Sequence, residues 1–236
     1  MRRFQALRFI HTDHSKPLNW PVFPLAAIGG LAAGALAQLL GQTGSWFVER
    51  HAIAYLGWST AVWVSVGFLF AWPAARARSV VRGALWAGVT MALYLFAWLL
   101  AYCVVFGLCD SSGFWMLWRD ERPFEIATIP VSVVIGFIAA GAWRPGRIGS
   151  ACLAAPLVWS VPEMIQSLQP DWLFGGAWGP PRWQYALALG LPTLLVALIP
   201  VVRARRRIDW LVFAATVIVG GAVVYFGLRL LDRHLF

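Results

Sequence analysis

Apolar runs of roughly 20 residues alternate along this chain with short polar connectors, a repeat on the scale of a lipid bilayer. A bilayer core is about 30 Å thick and a helix rises about 1.5 Å per residue, so one crossing takes about 20 residues. The runs are Val22–Gly41, Ala52–Trp72, Gly83–Gly107, Ile126–Trp143, Ile148–Gln166, Tyr185–Val202 and Trp210–Leu231. None shows the strict polar/apolar alternation of a membrane barrel strand. Lipid offers the backbone no hydrogen-bond partners, so uninterrupted runs of this kind predict helices. The expected fold is all-α: a polytopic integral membrane protein of about seven transmembrane helices, with six and eight as the neighbouring counts. Residues 1–21 read as an N-terminal segment with an interfacial turn over Phe4–Ile10, residues 22–231 as one helical bundle, and 232–236 as a short tail.

Composition leaves little room for anything else. With 60% hydrophobic and 12% charged residues in a chain of 236, no soluble domain of useful size remains. The net charge of +9 would suggest nucleic acid in a soluble protein, but here its distribution gives it another meaning. One set of alternate connectors holds 13 basic residues, among them Arg2, Arg76, Arg144 and the Arg203–Arg207 cluster, against the acids Asp13 and Asp209. The opposite set holds six basic and seven acidic residues. Basic connectors are retained in the cytoplasm, which predicts a cytoplasmic N-terminus and an outside C-terminus. The expected partner is the bilayer itself, with no nucleic acid. Eighteen arginines against one lysine fit a GC-rich bacterial genome, and hence a multi-pass protein of the plasma (inner) membrane.

Two local features bear on processing and redox state. Ala35-Leu36-Ala37 offers a small-x-small cleavage match, yet the apolar run continues beyond it and a long mixed segment precedes it, as in a retained span. Cys103, Cys109 and Cys152 form neither a CxxC pair nor a metal spacing and read as free thiols.

Helix faces carry the next layer of information. In the first span Ala26, Gly30 and Gly34 recur every four residues, a strip of small side chains that lets another helix approach closely. That strip fits internal packing of the bundle, or docking of a membrane partner subunit or a second copy. Ser132, Gly136 and Ala140 repeat the device in the fourth span. Among 15 tryptophans, many sit at span ends, where an amphipathic indole suits the headgroup zone. Span three carries Trp86, Thr90, Tyr94, Trp98 and Tyr102 at four-residue spacing, and span two offers Tyr55, Ser59 and Trp63. Together they suggest an aromatic wall able to hydrogen-bond.

One acid falls inside a span. Glu163 follows Pro162, in a helix that also contains Pro156. An ionisable group within the bilayer is costly and marks a candidate functional site. Entering at Ile148, the helix reaches Glu163 after roughly 22 Å of rise, in the outer part of the membrane. Trp159 and Gln166 share its face. Prolines that break a helix beside a carboxylate are found at transporter substrate sites, although a structural or interfacial carboxylate fits the same pattern. The Gly-, Pro- and Trp-rich connector 169–183 could lie over this end of the bundle and present Trp178 and Arg182.

Catalytic patterns are missing. The histidines His11, His14, His51 and His234 lie outside the spans, and no HExxH, Walker A, GxGxxG or GxSxG motif occurs. Gly149-Ser150-Ala151 resembles a fragment of an intramembrane serine-protease site but has no histidine within a span to activate it. No catalytic residue, metal ligand or cofactor is assigned, and an enzymatic reading would rest on Glu163 alone. The expected function is binding or transport of a small, partly apolar molecule in the outer half of the bundle, by Glu163, Trp159, Gln166, Tyr94, Trp98, Tyr102, Trp178 and Arg182. The alternative is a non-catalytic scaffold or assembly subunit of a larger membrane complex.

Overall fold

The computed structural model describes residues 21–42, 56–57, 59–77, 79–109, 114–120, 122–168, 182–205 and 208–235. Their regular structure is helical, with no strand among the described residues. In chain order the helices are α1 (Val22–Gln42), α2 (Thr60–Ala74), α3 (Val80–Cys109), α4 (Phe114–Asp120), α5 (Arg122–Gly141), α6 (Arg147–Ser167), α7 (Arg182–Ala204), α8 (Trp210–Ala215) and α9 (Gly221–Leu235). A π-helical segment, Thr216–Gly220, joins the last two into one rod. Six of these helical stretches are long and apolar enough to cross a membrane, counting that rod as one. The chain is therefore an all-α, multi-pass membrane protein.

The second span departs from the expected Ala52–Trp72. Helix α2 begins only at Thr60 and has 15 residues, about 22 Å of rise, which falls short of a full hydrocarbon core. Its start is set by Ser59, which adopts an extended backbone (φ −76°, ψ 105°) and accepts a hydrogen bond from Val62 N through its side chain. That is the geometry of a helix N-cap. An apolar run tells how much chain can sit in lipid, but not where within it a helix starts.

Short as it is, α2 lies at the centre. It packs against α1, α3, α5, α6 and α7. Its buried residues, including Val62, Trp63, Ser65, Phe68, Ala71 and Trp72, surround the whole helix rather than forming one stripe. The opposite end from Ser59 is fastened as well. Trp143, just beyond α5, donates its Nε1–H to Trp72 O at 2.6 Å and stacks its ring on that of Trp72 at 4.7 Å. The Arg76 guanidinium lies 5.6 Å from the Trp143 ring centre, within cation–π range.

Helix α3 is the long spine, with 30 residues, and α1 and α5 lie along it. The small strip of α1 faces α3. Ala26 is fully buried, and a methyl group built on Gly30 or Gly34 would run into the carbonyl oxygens of Tyr94 and Trp98 respectively. On α5, Gly136 meets Ala84 and Gly88 of α3 in the same way. These backbones touch because no side chain separates them. The short helix α4 packs on α3 and α5.

The final rod is peripheral and leans on α6, with Gly220 and Gly221 set against Val158 and Val161. Its start is tied down locally. Asp209 accepts from Val212 N at 3.2 Å, and Asp209 N donates to Ser150 Oγ at 2.7 Å, which in turn donates to Gly146 O. This assigns Ser150 a structural role at the foot of α6.

The α1–α3 contact predicts a steep difference between glycines. Gly34→Leu should lower the Tm of the detergent-purified protein by about 5 °C or more, since overpacking costs about 1–3 kcal/mol even where the neighbours can yield. Gly227→Leu, at a position with open space around it, should leave Tm within about 2 °C. Equal losses in a thermal-shift measurement would contradict the close α1–α3 approach.

Candidate functional site

Glu163 reaches from α6 to the N-terminus of α2. Its Oε2 accepts from Ser59 Oγ at 2.6 Å and its Oε1 from Ala61 N at 2.9 Å, while Thr60 N also bonds the carboxylate. Ser59 Oγ simultaneously accepts from Val62 N at 3.2 Å, and Trp63 N donates to Ser59 O at 3.4 Å. The first turn of a helix always leaves amides without intrahelical partners. Here those of Thr60, Ala61, Val62 and Trp63 are all accounted for, three of them through the Ser59–Glu163 pair. In hydrocarbon each would otherwise cost several kcal/mol. The carboxylate also sits at the positive end of the α2 dipole. The 2.6 Å separation is typical of a hydroxyl bonded to a charged carboxylate.

Beside this cap lies a cavity of about 660 Å³ between α2, α3, α5 and α6. Ser59, Thr60, Trp63 and Phe68 form its α2 wall, and Leu95, Trp98, Leu99 and Tyr102 its α3 wall. Helix α5 contributes Phe124, Ala127, Thr128, Val131, Val134 and Ile135, and α6 adds Ala155, Pro156 and Trp159. Phe124, Val131, Val134 and Trp159 are also exposed, so the cavity is a groove opening on the flank of the bundle. In a membrane that flank faces lipid.

The groove is apolar but not inert. Trp63 Nε1, Ser65 Oγ and Trp98 Nε1, all on residues that line it, are buried without a hydrogen-bond partner among the described residues. Buried polar groups are normally satisfied, so such clustering is unusual. Pro130 and Pro156 also belong to the wall. Each lacks an N–H, which leaves the carbonyls of Ile126 and Cys152 without their usual helical donors. The Thr128 hydroxyl is taken, donating to Phe124 O at 2.9 Å. Trp98 and Tyr102 stack at 5.0 Å and present a continuous aromatic surface.

The residues singled out from the sequence divide clearly. Trp98, Tyr102 and Trp159 line the groove, and Glu163 stands at its end, bonded to the lining residues Ser59 and Thr60. Tyr94 does not line it. Its ring is fully buried and stacks on Phe70 at 5.7 Å. A four-residue step turns only about 40° around α3, but it takes Tyr94 out of the lining and against Phe70 of α2. Trp178 lies outside the described residues, as do the side chains of Gln166 and Arg182. Ala26, Gly30 and Gly34 are far from this chemistry, at the α1–α3 contact.

Sequence reading missed the α5 wall, where Thr128 and Pro130 were the available signals. Among the described residues no three His, Cys, Asp or Glu side chains gather as a metal site would require. Cys109 and Cys152 form no disulfide among the described residues. No protein-family model matches the chain, and neither does any curated protein or solved structure.

The cap should behave as a coupled unit. Ser59→Ala and Glu163→Gln are each expected to lower unfolding stability, and a double-mutant cycle should give a coupling of about 1–3 kcal/mol, the range for a charge-assisted hydrogen bond. Strict additivity, measured by chemical or thermal unfolding in one detergent, would contradict direct bonding between the two side chains.

Proposed function

We propose that the protein binds, and moves within the membrane, a small predominantly apolar molecule that enters the groove sideways from the lipid. The observation that carries this reading is a flank-opening apolar cavity whose wall holds unpartnered polar atoms and whose end is a hydrogen-bonded carboxylate. Small-molecule sites are concave and mostly apolar, with a few polar groups that fix orientation. The groove has those properties, and its 660 Å³ matches a molecule of drug-like or short-lipid size. The orientation expected from charge puts the Glu163 end in the outer half of a bacterial inner membrane. The lining prolines Pro130 and Pro156 give the α5 and α6 walls room to bend as a ligand enters or leaves.

The alternative of a non-catalytic scaffold drew on the small-residue strip of α1. That strip is covered by α3 within the chain, so it offers no vacant face to a partner. No second observation favours the scaffold.

Blocking the groove tests the reading. The protein in lipid nanodiscs should bind the hydrophobic fluorophore 1-N-phenylnaphthylamine saturably, with energy transfer from the groove tryptophans. Ala127→Trp, which fills the α5 wall, should weaken that binding by about tenfold or more, equivalent to about 1.4 kcal/mol, while Tm stays close to wild type. Unchanged affinity in a folded Ala127→Trp protein would remove the groove as the binding site.

A further inference from the structure

We infer that the ligand of this groove is a lipophilic organic cation, a reading that rests on the proposed binding function and narrows it to one chemical class. Three observations converge. Among the described residues no lysine, arginine or histidine lines the groove. The positive end of α2, the feature that would attract an anion, is already occupied, because its free amides are bonded to Ser59 and Glu163. Finally, the Glu163 carboxyl is held by neutral groups. Its partners are a hydroxyl and backbone amides, and no basic side chain pairs with it among the described residues.

The wall supplies the complementary surface. Trp63, Phe68, Trp98, Tyr102, Phe124 and Trp159 bring six aromatic rings around one cavity. The negative faces of such rings attract a cation, tryptophan most strongly, and more so where water is excluded. A bulky hydrophobic cation would therefore find ring faces around its apolar substituents and a buried negative charge one residue-layer beyond Ser59. A neutral molecule of the same shape gains only the burial. An anion would find no basic side chain among the described lining residues to pair with.

A matched pair of probes separates charge from shape. Methyltriphenylphosphonium and neutral triphenylphosphine oxide are titrated against bound 1-N-phenylnaphthylamine, with the full chain in nanodiscs of zwitterionic lipid. The phosphonium should compete about tenfold or more tightly than the oxide. Glu163→Gln should erase that preference, the phosphonium and the oxide then competing within about twofold of each other. Trp98→Leu, which leaves the α2 cap intact, should reduce phosphonium binding more than oxide binding, and it serves if Glu163→Gln does not fold. Equal competition by the two probes, with the fluorophore still bound, would overturn the cation and leave the groove reading standing. If neither probe nor fluorophore binds saturably, the groove reading itself fails and the cation with it.

Discussion

A carboxylate from one membrane helix closes the open end of another, and the rest of the bundle is arranged around that contact. Helix α2 is too short to cross a bilayer alone, so its first turn must start within it or close to its edge. Backbone amides exposed there have no water to bond. Ser59 and Glu163 satisfy three of them, and the Ser59 carbonyl takes the fourth. This explains how the Glu163 carboxyl is tolerated within a span. Its desolvation cost is offset by charge-assisted bonds and by the helix dipole. With Trp143 holding the far end through Trp72, the central helix is fixed at both termini by its neighbours.

Fixing α2 this way shapes the space beside it. The α1–α3 and α3–α5 contacts are drawn tight by Gly30, Gly34 and Gly136, so backbones meet there. Between α5 and α6 the packing is sparser, and proline interrupts the hydrogen-bond ladder of both. The groove lies where close packing gives way to this gap, with large rings rather than small residues along its walls. Tight seams on one side and a loose, aromatic seam on the other suit a rigid frame carrying a site that must admit something from lipid.

Much of this was legible in the residues, for physical reasons that differ between elements. Apolar run length reports the transfer of a helix into lipid, and it located every long span to within a few residues. Glu163 stood out because charge in a span is rare, Trp159 because it shares that face, and Trp98 and Tyr102 because their rings recur at helical spacing. The same run-length criterion extended the second span back to Ala52. Ser59-Thr60 before Ala61-Val62-Trp63 is a serviceable N-cap signal, but one polar residue in an apolar stretch barely moves an average. That Ser59 and Glu163, more than 100 positions apart, would meet was not readable, since no local pattern encodes a contact between distant spans. Tyr94 illustrates a smaller failure. Spacing along α3 set it beside Trp98 without showing that its ring would stack on Phe70 in the core.

Residue-resolved amide exchange at Ala61 tests the cap most directly. The Ala61 amide donates to Glu163 and to nothing in its own helix, so its protection reports that one contact. In Glu163→Ala it should exchange about 100-fold faster or more, corresponding to about 2.7 kcal/mol, while amides from Phe68 to Ala71 keep their wild-type rates. Unaltered exchange at Ala61 in a folded Glu163→Ala protein would show that α2 begins without the carboxylate, and the arrangement described here would not stand.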